Sequence, residues 1–272
     1  MCERDRTVHA RIVSSSSRGA SKWLAAAPNI FGRSLANEQC MLALRQRIGA
    51  PLIDNMPTKC VCGADLRNPA ERGHVHWCAK SKAPATSLRH NHVAVTISSL
   101  AKMAGVTVRE ELTRPTFDAL LNRRRKLRPD LLLVGGSATH LVDVVVVHPT
   151  SPWRVERGAL PRNATDRTLH AIERAEALKT KKYEQLALEC DADFIPFACD
   201  VFGAMGSRAH QLIDWLVSEA SASGRLNDSN ERREFRAMAA ARLSVAIQRG
   251  VAICAVDAAK RIRDDVSGGG GR

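Results

Sequence analysis

The fold is decided by two hydrophobic segments, RPDLLLVGG at residues 128–136 and LVDVVVV at residues 141–147. Runs of Leu and Val are typical of strands that are buried on both faces of a sheet. The glycine pair that ends the first segment predicts a tight turn, so we expect a β-hairpin with one carboxylate on each strand, Asp130 and Asp143. A carboxylate buried in a sheet needs a cation or hydrogen-bond donors as compensation.

The two acids are candidate metal ligands. Two carboxylates brought together by one hairpin suit a hard divalent cation such as Mg²⁺, with Mn²⁺ as a substitute. The alternative is that one acid caps a strand end while the other pairs with an arginine, which is common for a lone pair of acids. Features on either side of the hairpin favour the metal.

The composition favours a polyanionic partner. The chain has 272 residues, of which 44% are hydrophobic, and 41 Lys and Arg against 28 Asp and Glu give a net charge of +13. Such an excess indicates DNA, or RNA, as the partner. No apolar run of membrane-spanning length and no signal peptide is evident, so we expect an intracellular, nuclear protein that binds no membrane.

A cluster of cysteines and histidines precedes the hairpin in the sequence CVCG at residues 60–63 and GHVHWC at residues 73–78. In a reduced compartment such a cluster is more typical of a metal site than of disulfides. A tetrahedral zinc site needs four N or S ligands, which the three cysteines and either histidine would supply. The candidate ligands are Cys60, Cys62, Cys78 and one of His74 and His76. The spacing does not decide between the histidines, and the alternative is a loop of free thiols.

Hydrophobic periodicity predicts the other elements. We expect helices at residues 37–48, 87–104, 117–127, 165–190, 207–221 and 230–263, and strands at residues 106–112 and 194–199. The predicted parts of the chain are a helical lead and linker (1–57, with a flexible or strand-like start), a zinc knuckle (58–86), a domain of the α/β (α+β) class with a mixed sheet flanked by helices (87–225), a C-terminal helix (226–265) and a disordered tail (266–272).

Two lysines lie at an apolar stripe of the helix predicted at residues 165–190. Lys179 and Tyr183 interrupt the stripe, and Lys182 lies at its edge, one turn from Lys179. A lysine that faces the two acids could orient a water or stabilise charge on a phosphate. The alternative is that its stem packs on the helix while its ammonium reaches solvent.

The order of these motifs resembles the C-terminal region of R2-type non-LTR retrotransposon proteins, in which a zinc knuckle precedes a restriction-like endonuclease of the PD-(D/E)xK superfamily. The resemblance extends over roughly residues 19 to 210. It rests on the cysteine cluster, Arg89-His90-Asn91, Val108-Arg-Glu-Glu111, Arg128-Pro-Asp130, Val142-Asp143-Val144 and Ala175-x-x-x-Lys179-x-x-Lys182-Tyr183.

The resemblance implies a role for each of these motifs. Asp130 and Asp143 would hold the metal, and Glu111 would be an assisting acid on the preceding strand. The position of the usual superfamily lysine, two residues after the second acid, is Val145, so Lys179 or Lys182 would supply it from the following helix. Arg89 and His90 would lie near the site and either touch DNA or order the acids. The basic residues expected to hold DNA phosphates are Arg123, Arg124, Arg125, Lys126 and Arg128.

The sequence therefore predicts a metal-dependent endonuclease that hydrolyses phosphodiester bonds to nick target DNA. No reverse-transcriptase signature such as Tyr-x-Asp-Asp occurs in this chain. The first alternative is a catalytically inactive remnant that still binds nucleic acid. The second is a structural zinc protein, which would leave the two acids and the basic excess unexplained.

Overall fold

The computed structural model describes residues 3–26, 34–68, 71, 73–78, 80, 85–110, 127–151, 154, 161–163 and 165–268. The helices are α1 (Glu3–Ser16), α2 (Asn37–Ile48), α3 (Ala85–Met103), α4 (His170–Glu189), α5 (Ser207–Ala222) and α6 (Ser229–Gly268). The strands are β1 (Thr107–Glu110), β2 (Leu131–Val134), β3 (Thr139–Val147) and β4 (Asp193–Asp200), and two 3₁₀ turns are η1 (Lys22–Ala25) and η2 (His74–His76).

The four strands form one mixed sheet in the order β1-β2-β3-β4. β2 is antiparallel to both β1 and β3, whereas β3 and β4 are parallel and are connected through α4. The carboxylate of Glu219 on α5 accepts hydrogen bonds from the backbone N–H groups of Gly136 (2.7 Å) and Ser137 (3.1 Å) in the hairpin turn. The predicted mixed sheet with flanking helices is confirmed, and β4 lies at a sheet edge, where its Pro196 is tolerated.

Helices cover both faces of the sheet. Helices α3, α5 and α6 pack on one face, where Leu133, Val142 and Phe197 are fully buried. Helix α4 packs on the other face, where Tyr183 and Leu186 contact Leu132, Leu141 and Phe194. This arrangement explains why β2 and β3 are nearly continuous runs of Leu and Val.

Helix α2 forms as its sequence predicts. Its cap, Gly49, has φ 73°, and its N–H bonds back to the carbonyls of Arg45 and Gln46. Glycine adopts this left-handed conformation at little cost because it has no side chain, and it therefore often ends helices.

The chain start differs from the expected flexible or strand-like lead, because residues 3–16 are helical. Ala10 and Val13 of α1 are buried, and Arg6 Nε donates to the carbonyl of Pro161 (2.9 Å) while His9 bonds that of Asp166 (2.9 Å). The weakly amphipathic helix is therefore stabilised by tertiary contacts that its local sequence does not reveal.

Helix α6 extends further than predicted and reaches Gly268, so residues 266–268 of the expected disordered tail are helical. Within Ser229–Val266 it is long and apolar enough to cross a membrane by composition alone, which corrects the expectation that no such run occurs. However, 67% of that apolar window is buried inside the protein, as is usual for a core helix. The helix predicted at 117–127 lies almost wholly outside the described residues.

Candidate metal centres

The two predicted acids lie close together at the start of the hairpin. Leu131 of β2 pairs with Val142 of β3, and the N–H of Asp130, just before β2, donates to the Val142 carbonyl (2.9 Å). Asp143 projects from the face of the sheet that α4 covers, because Lys179 of α4 contacts it. The charges of both acids act on His90 and on Tyr183, so the two carboxylates are neighbours.

The carboxylate of Asp130 is held by two donors. Its Oδ2 accepts the N–H of Val144 (2.6 Å) and contacts His90 Nε2 on α3 (2.8 Å). Burial lowers the pKa of His90, but the hydrogen bond and the charge of Asp130 outweigh burial and raise that pKa above its usual value. His90 thus orders one of the acids, which is one of the roles that the resemblance implies for it.

Lys179 of α4 approaches the second acid. Its Nζ lies 2.5 Å from Oδ2 of Asp143, whose side chain is 5% exposed, whereas that of Lys179 is 26% exposed. Burial of Asp143 is therefore compensated by the charge of Lys179, and the Tyr183 hydroxyl also interacts with this carboxylate. The stem of Lys179 lies one turn beyond Ala175, which is buried on the α4 stripe.

Lys182 lies elsewhere on α4. It is exposed, and its Nζ donates to Tyr183 Oη (3.1 Å) and lies 4.6 Å from the centre of that ring. Tyr183 in turn donates to the carbonyl of Arg128 (3.2 Å), so it fixes the backbone just before Asp130. Burial is the main cause, and the negative charge of Asp143 a further cause, of a strongly raised pKa for the Tyr183 hydroxyl.

The two acids could hold a hard divalent cation. Asp143 is buried beside the ammonium of Lys179, and Asp130 lies close to it, since the charges of both acids act on His90 and Tyr183. Both donors to Asp130 bind the same oxygen, Oδ2. Oxygen ligands with compensating charge nearby are what Mg²⁺ and Mn²⁺ select.

The other residues predicted to contact DNA differ in their exposure, and several of them lie outside the described residues. Arg128 is exposed, two residues before Asp130. Arg89 is 8% exposed and its Nη2 donates to the carbonyl of Val146 on β3 (3.1 Å), so of its two predicted roles its position favours ordering the strand that carries Asp143 over touching DNA. The remaining residues, Glu111, Arg123, Arg124, Arg125 and Lys126, lie outside the described residues.

Glu110, just before Glu111, belongs to another surface. Its carboxylate binds Lys102 Nζ (2.7 Å) and Ser98 Oγ on α3. In the register of β1 it pairs with Leu131, whose side chain lies on the face away from α4. Glu110 therefore does not join the acid pair.

The cysteine cluster converges as four potential ligands. Ligand atoms of Cys60, Cys62, His74 and Cys78 all lie within 4.8 Å of one another. The Sγ atoms of Cys60 and Cys78 are 3.6 Å apart, and Cys62 Sγ lies 3.3 Å from His74 Nε2. This Cys₃His cluster could bind zinc, because four N and S donors are a complete tetrahedral set.

The surroundings suit a structural metal. Gly63 turns the chain after Cys62 with φ 95°, in open space, and its N–H bonds to the carbonyl of Cys60 (2.8 Å). Burial, with the neighbouring thiols, raises the pKa of Cys60 to about 12, a penalty that a dication would offset by stabilising the thiolate. Glu71 Oε2 lies 2.8 Å from His74 Nδ1 and so orients the ring, a partner that sequence reasoning missed although it lies only three residues away.

His76 faces away from the cluster. Its Nε2 bonds Gln46 Oε1 (3.1 Å), and Gln46 Nε2 donates to the carbonyl of Val201 (2.8 Å) after β4. Burial lowers the pKa of His76 to about 3, so the imidazole is neutral. His76 and Trp77 pack against His148, directly after β3, with ring centres 5.5 and 4.6 Å apart. The knuckle is thereby attached to the sheet that carries the acids.

No known family profile matches the chain. The chain is similar to a retrotransposable-element protein. It is 26% identical over 194 residues to the retrotransposable element SLACS 132 kDa protein of Trypanosoma brucei gambiense. The match covers 68% of this chain and 15% of that protein, so the chain spans a small part of its relative.

Proposed function

We propose that this protein is a metal-dependent DNA endonuclease derived from a retrotransposon, with an R2-type arrangement of zinc knuckle and restriction-like PD-(D/E)xK core. The observation that carries the proposal is the joint position of Asp130, Asp143 and Lys179. Two carboxylates lie close together at the start of the hairpin, and Lys179 contributes the one ammonium group among the described lysines that pairs with either of them. The similarity to a retrotransposable-element protein supports the origin.

Each residue has a distinct task in this proposal. Asp130 and Asp143 would hold Mg²⁺ or Mn²⁺, which when bound supplies an activated water and charge stabilisation at a phosphodiester. Lys179 neutralises negative charge that develops on the phosphate, and His90 and the Val144 N–H hold Asp130 in place. Tyr183 fixes the backbone before Asp130. The exposed Arg128 would bind a neighbouring DNA phosphate.

The zinc knuckle would act as a structural support and not as a second catalytic metal. A site with four protein ligands has no open position for substrate. Its contacts through His76, Trp77 and His148 lead to the end of β3, four to five residues from Asp143. We therefore propose that zinc binding stabilises the strand that carries the second acid.

A second candidate is a nucleic-acid-binding remnant that has lost cleavage. One observation favours it: Asp143 is nearly inaccessible and already pairs with Lys179. A metal would have to compete with that ammonium for the same oxygen. The two candidates make opposite predictions for nicking and the same prediction for DNA binding.

The test is nicking of a supercoiled plasmid with Mg²⁺, Mn²⁺, no added cation or EDTA. We expect nicking with either cation, with Asp143→Asn and Lys179→Ala at least 100-fold slower and still binding DNA, because one phosphate contact among many is a small share of affinity. Lys181→Ala is the matched control, since Lys181 is exposed on the same helix. A parent protein that binds DNA without nicking it under any cation would favour the remnant, and equal nicking by Asp143→Asn would overturn the acid pair as the site.

A further inference from the structure

A second candidate site lies far from the acids, in a groove between the turn before η1 and helices α5 and α6. The groove has a volume of about 280 Å³. Its lining is formed by Arg18, Gly19, Lys22, His210, Ile213, Asp214, Arg233, Arg236, Ala237 and Ala240. Four of these residues are Arg or Lys and one is acidic, so the groove is strongly positive.

Only part of that charge is neutralised inside the groove. Arg236 Nε binds Asp214 Oδ1 (2.7 Å), which accounts for the single acid of the lining. Arg18, Lys22 and Arg233 are exposed and form no ion pair within the part of the chain that the structure describes. Arg233 Nη2 also donates to Asn230 Oδ1 (2.6 Å), but its positive charge stays at the groove. Several cationic side chains around one groove favour the binding of an anion.

The pKa of His210, which lines the groove, responds to the same positive charge. Burial lowers its pKa, and the charge of Arg18 lowers it further, against an opposing effect of Asp214. An anion in the groove would act in the opposite direction and raise this pKa.

The groove is on the opposite side of the sheet from Asp143. Helices α5 and α6 pack on the face away from α4, whereas Asp143 contacts Lys179 of α4. A DNA segment bound at Asp143 would therefore not fill this groove.

We propose that the groove is a second phosphate-binding site that takes the sugar-phosphate backbone of a nucleic-acid strand. The volume falls just below the roughly 300–1,000 Å³ typical of pockets that enclose drug-sized ligands, which suits a backbone segment. Apart from His210 the lining has no ring on which a base could stack, so binding is independent of sequence. The site requires neither the acids nor zinc, and so it goes beyond the endonuclease proposal.

The test measures binding of a fluorescent single-stranded oligonucleotide as a function of salt, without Mg²⁺ and without chelator, so that cleavage is silent and zinc stays bound. Arg18→Ala/Arg233→Ala should lower the slope of log K against log salt by about 1.4, because each lost phosphate contact contributes about 0.7 for single strands. Lys22→Ala alone should lower this slope by about 0.7. This single variant replaces the double variant in the test if the double variant folds poorly. Arg232→Ala is the matched control, since Arg232 is exposed on α6 and does not line the groove.

A slope loss confined to the groove variants supports the proposal. If these variants keep the parent slope, or Arg232→Ala lowers it equally, the groove is not a nucleic-acid site. Inorganic pyrophosphate provides the second arm of the test. If pyrophosphate binds the parent but not the double variant, while both proteins bind the oligonucleotide with the same salt slope, the groove takes small anions only, and the assignment to a strand is overturned.

Discussion

Replacing Lys179 by Met should destabilise the protein, because the charge of Asp143 would lose its partner. The size of the loss tests how strongly the two charges interact. Removing one partner of a buried ion pair costs about 3–5 kcal/mol, because the remaining charge is uncompensated. Asp143 is 5% exposed, but Lys179 is 26% exposed, so solvent already shares in its stabilisation. We therefore expect the lower end, about 3 kcal/mol, in the free energy of unfolding without divalent cation.

The assay is urea unfolding of the parent, Lys179→Met, Asp143→Asn and the double variant, each with and without Mg²⁺. The double variant should lose less than the sum of the single variants, with a coupling energy of about 2 kcal/mol. Mg²⁺ should restore part of the loss in Lys179→Met, because a cation at Asp143 replaces the missing ammonium. Lys181→Met should cost less than about 0.5 kcal/mol, as is usual for surface changes.

Two results would contradict this reasoning. Strict additivity of the two substitutions would show that the charges do not interact, whatever their distance. Equal stabilisation of the parent and of Asp143→Asn by Mg²⁺ would show that the cation binds elsewhere.

Three further predictions concern the knuckle, the hairpin and a buried acid. Protein purified without chelator should hold about one zinc per chain, and Cys62→Ser should lose it with a lower melting temperature, whereas Cys190→Ser should keep it; elemental analysis without zinc in the parent would refute the site. Glu219→Ala should cost about 2 kcal/mol in urea unfolding, because the turn loses charge-assisted hydrogen bonds at Gly136 and Ser137, while the exposed Glu184→Ala should cost almost nothing. Asp200 is fully buried, and burial raises its pKa to about 6, so the folded state binds a proton that the unfolded state releases between about pH 4 and about 6. Stability should fall as pH rises through that window, and Asp200→Asn should remove this slope and gain up to about 3 kcal/mol above pH 6; an unchanged slope in the variant would assign the titration to another group.

Local sequence predicted the elements that carry their own signal. The runs of Leu and Val at residues 131–134 and 141–147 specify strands because a sheet covered on both faces buries every side chain. Helix α2 has an apolar pattern and a glycine at its end, and it begins and ends at the predicted residues. Helix α1 lacks such a signal, since its helical state depends on contacts with residues 161 and 166 that lie far away in the chain.

The sequence by itself determined which residue types are available: two acids on one hairpin, two candidate lysines along one side of a helix, and three cysteines with two histidines in one short segment. Tertiary structure decided among them. His74 rather than His76 joins the cysteines because Gln46 of α2 binds His76 and burial keeps it neutral. Lys179 rather than Lys182 reaches Asp143 because packing of Tyr183 and Leu186 on the sheet sets the rotation of α4. The spacing of residues in the sequence predicts which side chains share a face of a helix. The direction in which that face points depends on what the whole helix packs against.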